Sequence, residues 1–141
     1  MNNHVVYYSK SGHSKAIAGA VADALSLQAL DLGQIQAPLQ SDLLFLITGI
    51  YGGVPDPKVV AYVESLSPAD IKRVCLITSS MGENPQTDLR TRLESKGIPV
   101  QKAEYTCKGS FLLFGRGHPN KEEIREAADF ARRTAASVGS V

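Results

Sequence analysis

Five consecutive apolar residues, Leu43-Leu44-Phe45-Leu46-Ile47, limit the fold more than any other stretch of the chain. A strand with one face in water alternates polar and apolar side chains. An uninterrupted short run instead suits a strand covered on both faces, at the centre of a parallel sheet. Residues 74–77 repeat the pattern, and Val5-Val6-Tyr7-Tyr8 is a short β-prone run that precedes both, so the three in chain order are 5–8, 43–47 and 74–77. Each run leads through a polar or glycine-rich stretch into a segment with helical signals. After the first, Ile17, Ala18, Val21 and Leu25 recur at helical spacing. After the second, Asp56 can cap and Pro57 can occupy the first turn of a helix with Val59, Val60, Val63 and Leu66 on its buried side, stopped by Ser67 and Pro68. After the third, Asn84 and Pro85 predict the same entry, into a helix closed by Gly97.

The rest of the chain fits the same alternation. Residues 27–32 read as a brief edge strand, and residues 33–40, broken by Pro38, are too short for a full helix. A last strand is predicted over residues 98–105. After the irregular 106–119, Asn120 launches a final helix, with Glu123 placed for a capping box and Ile124, Ala127, Ala128 and Ala131 as its core stripe. Five strands alternating with helices in 141 residues predict a single α/β domain, 1–141, built as a three-layer, doubly wound parallel sheet. Ligands of such sheets sit beyond the carboxyl ends of the strands, where the strand order reverses. Three predicted loops qualify by topology, at residues 9–14, 48–54 and 78–84.

The first of them, Ser9-Lys10-Ser11-Gly12-His13-Ser14-Lys15, reads as a phosphate cradle. Its three hydroxyls surround a glycine able to take positive φ, and the amides that follow are the unpaired donors of a helix N-terminus. The stretch has neither the GxxxxGK[ST] of a nucleoside-triphosphate site nor the GxGxxG of a dinucleotide fold, and its hydroxyls suit a terminal monophosphate. A plain helix cap is the competing reading of the same residues.

Composition narrows the function classes. With 43% apolar and 21% charged residues the chain has ordinary globular usage. The net charge of +1 divides into −3 over residues 1–70 (3 basic, 6 acidic) and +4 over residues 71–141 (12 basic, 8 acidic), too mild an excess for a nucleic-acid binder. Cys75 and Cys107 form no CxxC, which argues against a sulfur-rich metal site or a redox dithiol, and Cys75 reads as core. Without a signal-peptide pattern or a membrane-length apolar run, a cytoplasmic location with no membrane span is expected. No nucleophile–base pair, carboxylate pair or metal-ligand spacing stands out, so no catalytic residue is assigned. A phosphorylated receiver domain is excluded because Tyr7-Tyr8-Ser9 and Thr48-Gly49 stand where its acidic residues belong.

The residues from Val5 through Ser14, with Ala18 and Val21, resemble the N-terminal FMN-phosphate signature of the flavodoxin family, with Ser14 where threonine is usual. The resemblance extends to Asp42 before the apolar run, to Thr48-Gly49-Ile50-Tyr51-Gly52-Gly53 after it, and to Gly117-His118-Pro119-Asn120 before the last helix. It implies a sheet in the order 2-1-3-4-5 that binds FMN at the switch point. Carried over, Ser9, Ser11, Gly12, His13 and Ser14 hold the 5′-phosphate, and Lys10 and Lys15 add charge. Thr48, Gly49, Ile50, Tyr51, Gly52 and Gly53 match a stretch beside the isoalloxazine ring, where Tyr51 either stacks on the ring or packs locally. Thr78, Ser79, Ser80, Met81 and Gly82 match the second ring-side stretch. There Met81 stands in place of an aromatic residue, on the ring or filling a gap.

The expected function is electron transfer by bound FMN between a reductase and an acceptor protein. A flavin-dependent oxidoreductase, similar to a quinone reductase or a protoporphyrinogen dehydrogenase, and a cofactor-free interaction module are the alternatives. The apolar stretch Phe111-Leu112-Leu113-Phe114 fits three roles: covering the sheet edge, lining the flavin or meeting a partner.

Overall fold

The chain runs β1 (Asn3–Tyr7), α1 (His13–Ala24), β2 (Ala29–Asp31), β3 (Leu43–Tyr51), β4 (Val54–Pro55), α2 (Pro57–Ser65), β5 (Val74–Ser80), α3 (Thr87–Ser95), β6 (Tyr105–Lys108) and α4 (Lys121–Gly139). These elements come from a computed structural model that describes residues 2–10, 12–36, 38–51, 54–80, 86–108 and 121–139. Five strands pair in parallel in the order β2-β1-β3-β5-β6, and the two-residue β4 turns back antiparallel on the end of β3. Counting only the parallel strands, the order is the expected 2-1-3-4-5. It reverses between β1 and β3.

The apolar runs explain the layers. Successive side chains of a strand point to opposite faces, so a strand without polar residues needs cover on both. Val5, Phe45, Ile47, Cys75 and Ile77 face α1 and α4, where Ile17, Val21, Ala127 and Ala131 meet them. Val6, Leu44, Leu46 and Leu76 face the other way, against Val59 and Val63 of α2 and Leu89 and Leu93 of α3. Burial of each large side chain contributes about 1.5–3 kcal/mol. These two cores hold the strand ends in a fixed row. At the opposite end of the sheet Asp42 secures the start of β3, its carboxylate accepting from the Asn2 amide at 2.8 Å while its own amide donates to Asn2 O at 2.7 Å.

Several boundaries differ from the sequence expectation, each for a tertiary reason. β3 and β5 run past their apolar cores because Thr48 and Gly49 continue the parallel ladder with Thr78 and Ser79. The last strand is Tyr105–Lys108, not 98–105, and Val100 makes only an isolated bridge to Val74. Between the bridge and the strand, Arg90 Nη2 donates to the Gln101 carbonyl at 2.9 Å and to Glu104 Oε2 at 2.8 Å, which bonds this stretch to α3. The link from β2 to β3 carries a 3-10 turn, Leu32–Gln34, which Asp31 caps by accepting from the Gly33 amide at 2.9 Å. Asp56 and Pro57 open α2 as expected. α3 instead begins at Thr87 with Gln86 as its N-cap residue, and the expected Asn84–Pro85 entry lies outside the described residues. The N-cap expected at Asn120 lies outside them too.

Candidate functional site

The carboxyl ends of β1, β3 and β5 lie side by side, which brings the starts of all three candidate stretches into one row. The Tyr8 amide donates to Ile47 O at 3.1 Å, so Ser9 follows beside Thr48, and Thr48 pairs with Thr78 across the next ladder.

Over the end of β1 the chain enters α1 through Gly12, whose φ of +92° and ψ of −9° place it in the left-handed region. A side chain here would meet nothing within 4 Å, so the requirement for glycine is conformational. The Gly12 amide donates to Ser9 Oγ at 2.8 Å, which closes the turn. Gly12 has no side chain to cap the helix, and first-turn amides have no acceptor within the helix. The helix dipole adds positive potential at the same point.

Ser14, in the first turn of α1, is 1% exposed, and its Oγ has no hydrogen-bond partner. A buried hydroxyl left unsatisfied costs about 1–3 kcal/mol, so an orphan of this kind calls for a missing partner. Six buried side-chain polar atoms among the described residues lack a partner. Three of them, Ser14 Oγ, Thr78 Oγ1 and Gln86 Oε1, lie at this end of the sheet. An oxyanion over the N-terminus of α1 suits the donors present there: helix amides, a buried hydroxyl and a turn that only glycine forms without strain.

Lys10 is more than a free charge beside the cradle. Its Nζ lies 3.0 Å from Asp56 Oδ2, while Asp56 Oδ1 accepts from the Lys58 amide at 2.8 Å. The Lys58 amide bond, followed by Lys10, holds the Asp56 carboxyl below its ordinary range against the opposing effect of burial. The first strand-end stretch is thereby joined to the start of α2. Lys15 is exposed and His13 half-buried.

The second and third stretches open as strand, not loop. Thr48, Gly49, Ile50 and Tyr51 belong to β3, and Thr78, Ser79 and Ser80 to β5. Thr48 and Thr78 are buried at 1% and 0% exposure, and strand alternation turns them toward the α2–α3 layer with Leu46 and Leu76. Gly49 and Ser79 are also buried. Ser11, Gly52, Gly53, Met81 and Gly82 lie outside the described residues, as do Phe111, Leu112, Leu113, Phe114 and His118.

Gln86 was not singled out by the sequence. It is 2% exposed, and its Nε2 donates to Thr48 Oγ1 at 3.0 Å, tying the start of α3 to the end of β3. Its own amide donates to Glu104 Oε1 at 2.9 Å, and Glu104 Oε2 takes Arg90 Nη2 at 2.8 Å. The Glu104 carboxylate thus satisfies the backbone amide of the N-cap residue of α3, the donor that an N3 glutamate takes in a capping box. No local signal reveals this, because Gln86 and Glu104 are 18 residues apart.

Among the described residues no His, Cys, Asp and Glu cluster is arranged to hold a metal ion, and no helix is long and apolar enough to cross a membrane. A cavity of about 220 Å³ lined by Ile35, Leu39, Tyr62 and Leu66 lies at the opposite end of the sheet from the candidate site. The nearby Ser65 and Ser67 hydroxyls are engaged in local turns, and no chemistry is assigned to it.

No protein-family model matches the sequence. An uncharacterised protein of Methanocaldococcus jannaschii is 28% identical over 139 aligned residues, covering 87% of this chain and 92% of the relative. Among solved structures, a short-chain flavodoxin associated with a non-canonical PDU bacterial microcompartment superposes with a TM-score of 0.70 at 18% identity, covering 98% of this chain and 99% of that one. An NAD(P)H:quinone oxidoreductase from Methanothermobacter marburgensis gives a TM-score of 0.65 at 14% identity, covering 94% of both chains. With the strand order, the switch point and the full-length superposition in agreement, the chain has a flavodoxin-like fold.

Proposed function

We propose that this chain, as one flavodoxin-like domain in the cytoplasm, binds FMN at the switch point and passes electrons between a reductase and an acceptor protein. The observation that carries the reading is the buried, unpartnered Ser14 hydroxyl at the N-terminus of α1, whose N-cap residue Gly12 makes no side-chain cap. Ser9 holds the turn through the Gly12 amide, Gly12 supplies the left-handed bend, and the first amides of α1 with Ser14 Oγ donate to the 5′-phosphate. Ser11 and His13 complete the cradle in this reading, with Lys10 oriented by Asp56. The strand ends at Thr48, Gly49, Ile50 and Tyr51 and at Thr78, Ser79 and Ser80 form the ring-side rim, extended by Gly52, Gly53, Met81 and Gly82. Bound FMN supplies the redox chemistry, taking up and releasing one or two electrons, and the protein sets its position and surroundings.

Titration of the purified apoprotein with FMN tests this directly. Quenching of flavin fluorescence with saturable uptake is expected, and riboflavin should bind more weakly because it has no phosphate. Absence of uptake would sink the reading in favour of a cofactor-free module. A flavin-dependent oxidoreductase is the second reading. Its support is the fold shared with a quinone oxidoreductase and a net charge of +1, which supplies no overall negative charge to steer a basic carrier partner. Saturable turnover of small quinones by the reduced holoprotein favours the enzyme; slow, unsaturable reoxidation favours the carrier.

A further inference from the structure

Gln86 is buried with its amide only half used. Nε2 reaches Thr48 Oγ1, while Oε1 has no partner, and the neighbouring Thr78 Oγ1 has none either. A buried amide in this state is a poor choice for stability alone. Replacing it and its partner by apolar groups of similar shape is close to neutral or stabilising. What the arrangement does provide is a defined position. Gln86 is fixed from behind by Glu104 Oε1, while Glu104 Oε2 holds Arg90, and from that anchored place it grips the point where β3 leaves its apolar core.

We propose that Gln86 is a positioning residue that sets the ring-side rim of the candidate cofactor site, acting through Thr48 and not by contact with the phosphate. The inference rests on the FMN reading above. Its reach is confined by the sheet's two faces: the Thr48 and Thr78 side chains turn toward the α2–α3 layer, where Gln86 meets Thr48, whereas α1, which carries Gly12 and Ser14 at its start, covers the opposite face. Loss of the Gln86–Thr48 bond therefore changes the ring end and leaves the phosphate end alone.

Comparing FMN with riboflavin separates the two ends, because riboflavin carries the ring without the phosphate. In Gln86→Met, which keeps the length of the side chain without its amide, FMN and riboflavin affinities should both fall by about tenfold, leaving their ratio as in the wild type. The gap between the first and second one-electron reduction potentials should shift as well. Thr48→Val should reproduce these changes, and the double variant should add nothing further, since both remove one bond. The apoprotein of the double variant should melt no lower than the wild type, a result that a merely structural role for Gln86 does not combine with lost ring affinity. Unchanged affinities and potentials overturn the proposal, as does a loss confined to FMN. If Gln86→Met does not fold, Thr48→Val alone decides by the same ratio and potentials. Wild-type protein that takes up neither flavin refutes the FMN reading itself, a failure distinct from one seen only in the variants.

Discussion

Replacing Ser14 by alanine should move apoprotein stability and ligand affinity in opposite directions. In the apoprotein the hydroxyl is buried at 1% exposure and bonded to nothing, so its desolvation is uncompensated. Removing it recovers part of a penalty of about 1–3 kcal/mol, and alanine adds a few tenths of a kcal/mol of helix propensity. A gain of about 1 kcal/mol corresponds to a rise of roughly 3–4 °C in Tm for a domain of this size. With FMN or inorganic phosphate bound, the same hydroxyl donates to an anion. Hydrogen bonds to charged groups contribute about 1.5–3 kcal/mol, so the variant should bind FMN about ten- to a hundredfold more weakly. Calorimetric melting of the apoprotein and fluorescence titration with FMN read the two effects separately. A less stable apoprotein would mean that the hydroxyl already has a partner, and unchanged affinity would mean that it does not face the ligand. Either result refutes the reasoning.

Tyr62→Phe should be neutral or stabilising by up to about 1 kcal/mol, because the hydroxyl is buried without a partner and burial raises its pKa to about 12; a clear drop in Tm contradicts this. Cys75, buried with its thiol pushed up to about 12 chiefly by desolvation, should resist a disulfide reagent at pH 8 in folded Cys107→Ser protein and react once urea unfolds it. Rapid labelling of the folded form would show an open path to the core. Asp56 gives a pH signature. Its folded pKa is depressed, so its contribution to stability is present above the unfolded value of about 3.9 and is lost as pH falls through the folded value. The stability difference between wild type and Asp56→Asn, from urea midpoints, should be largest near pH 7 and shrink below pH 4. A difference that does not change with pH excludes this origin.

The three strand-end stretches differ in how far they could be read locally. The cradle was legible because its requirements are local: Gly12 must reach positive φ, and the hydroxyls lie within five residues of it. Asp56 and Pro57 were legible for the same reason, since a cap and a first-turn proline act on their own helix. Residues 48–51 and 78–80 read as loop because serine, threonine and glycine are common in turns. They became strand when each ladder found its neighbour, and only pairing between distant segments decides that. Gln86 had no signature, for glutamine is unremarkable before a helix. Its importance comes from Thr48, 38 residues away, and from Glu104, 18 residues away on the other side.

By itself, the order of apolar runs and helical periods determined the layered parallel sheet, because a strand without polar residues has to be covered on both faces wherever it lies. The same sequence placed a glycine and hydroxyls at the mouth of the first helix, where an anion site needs only local geometry. Tertiary structure alone decided which groups at that end of the sheet were satisfied and which were not. It paired Lys10 with Asp56, spent the Glu104 carboxylate on α3, and left Ser14 Oγ without a partner. Those outcomes depend on distances between segments remote in the chain, and hydrogen-bond satisfaction is a property of the packed molecule, not of any stretch within it.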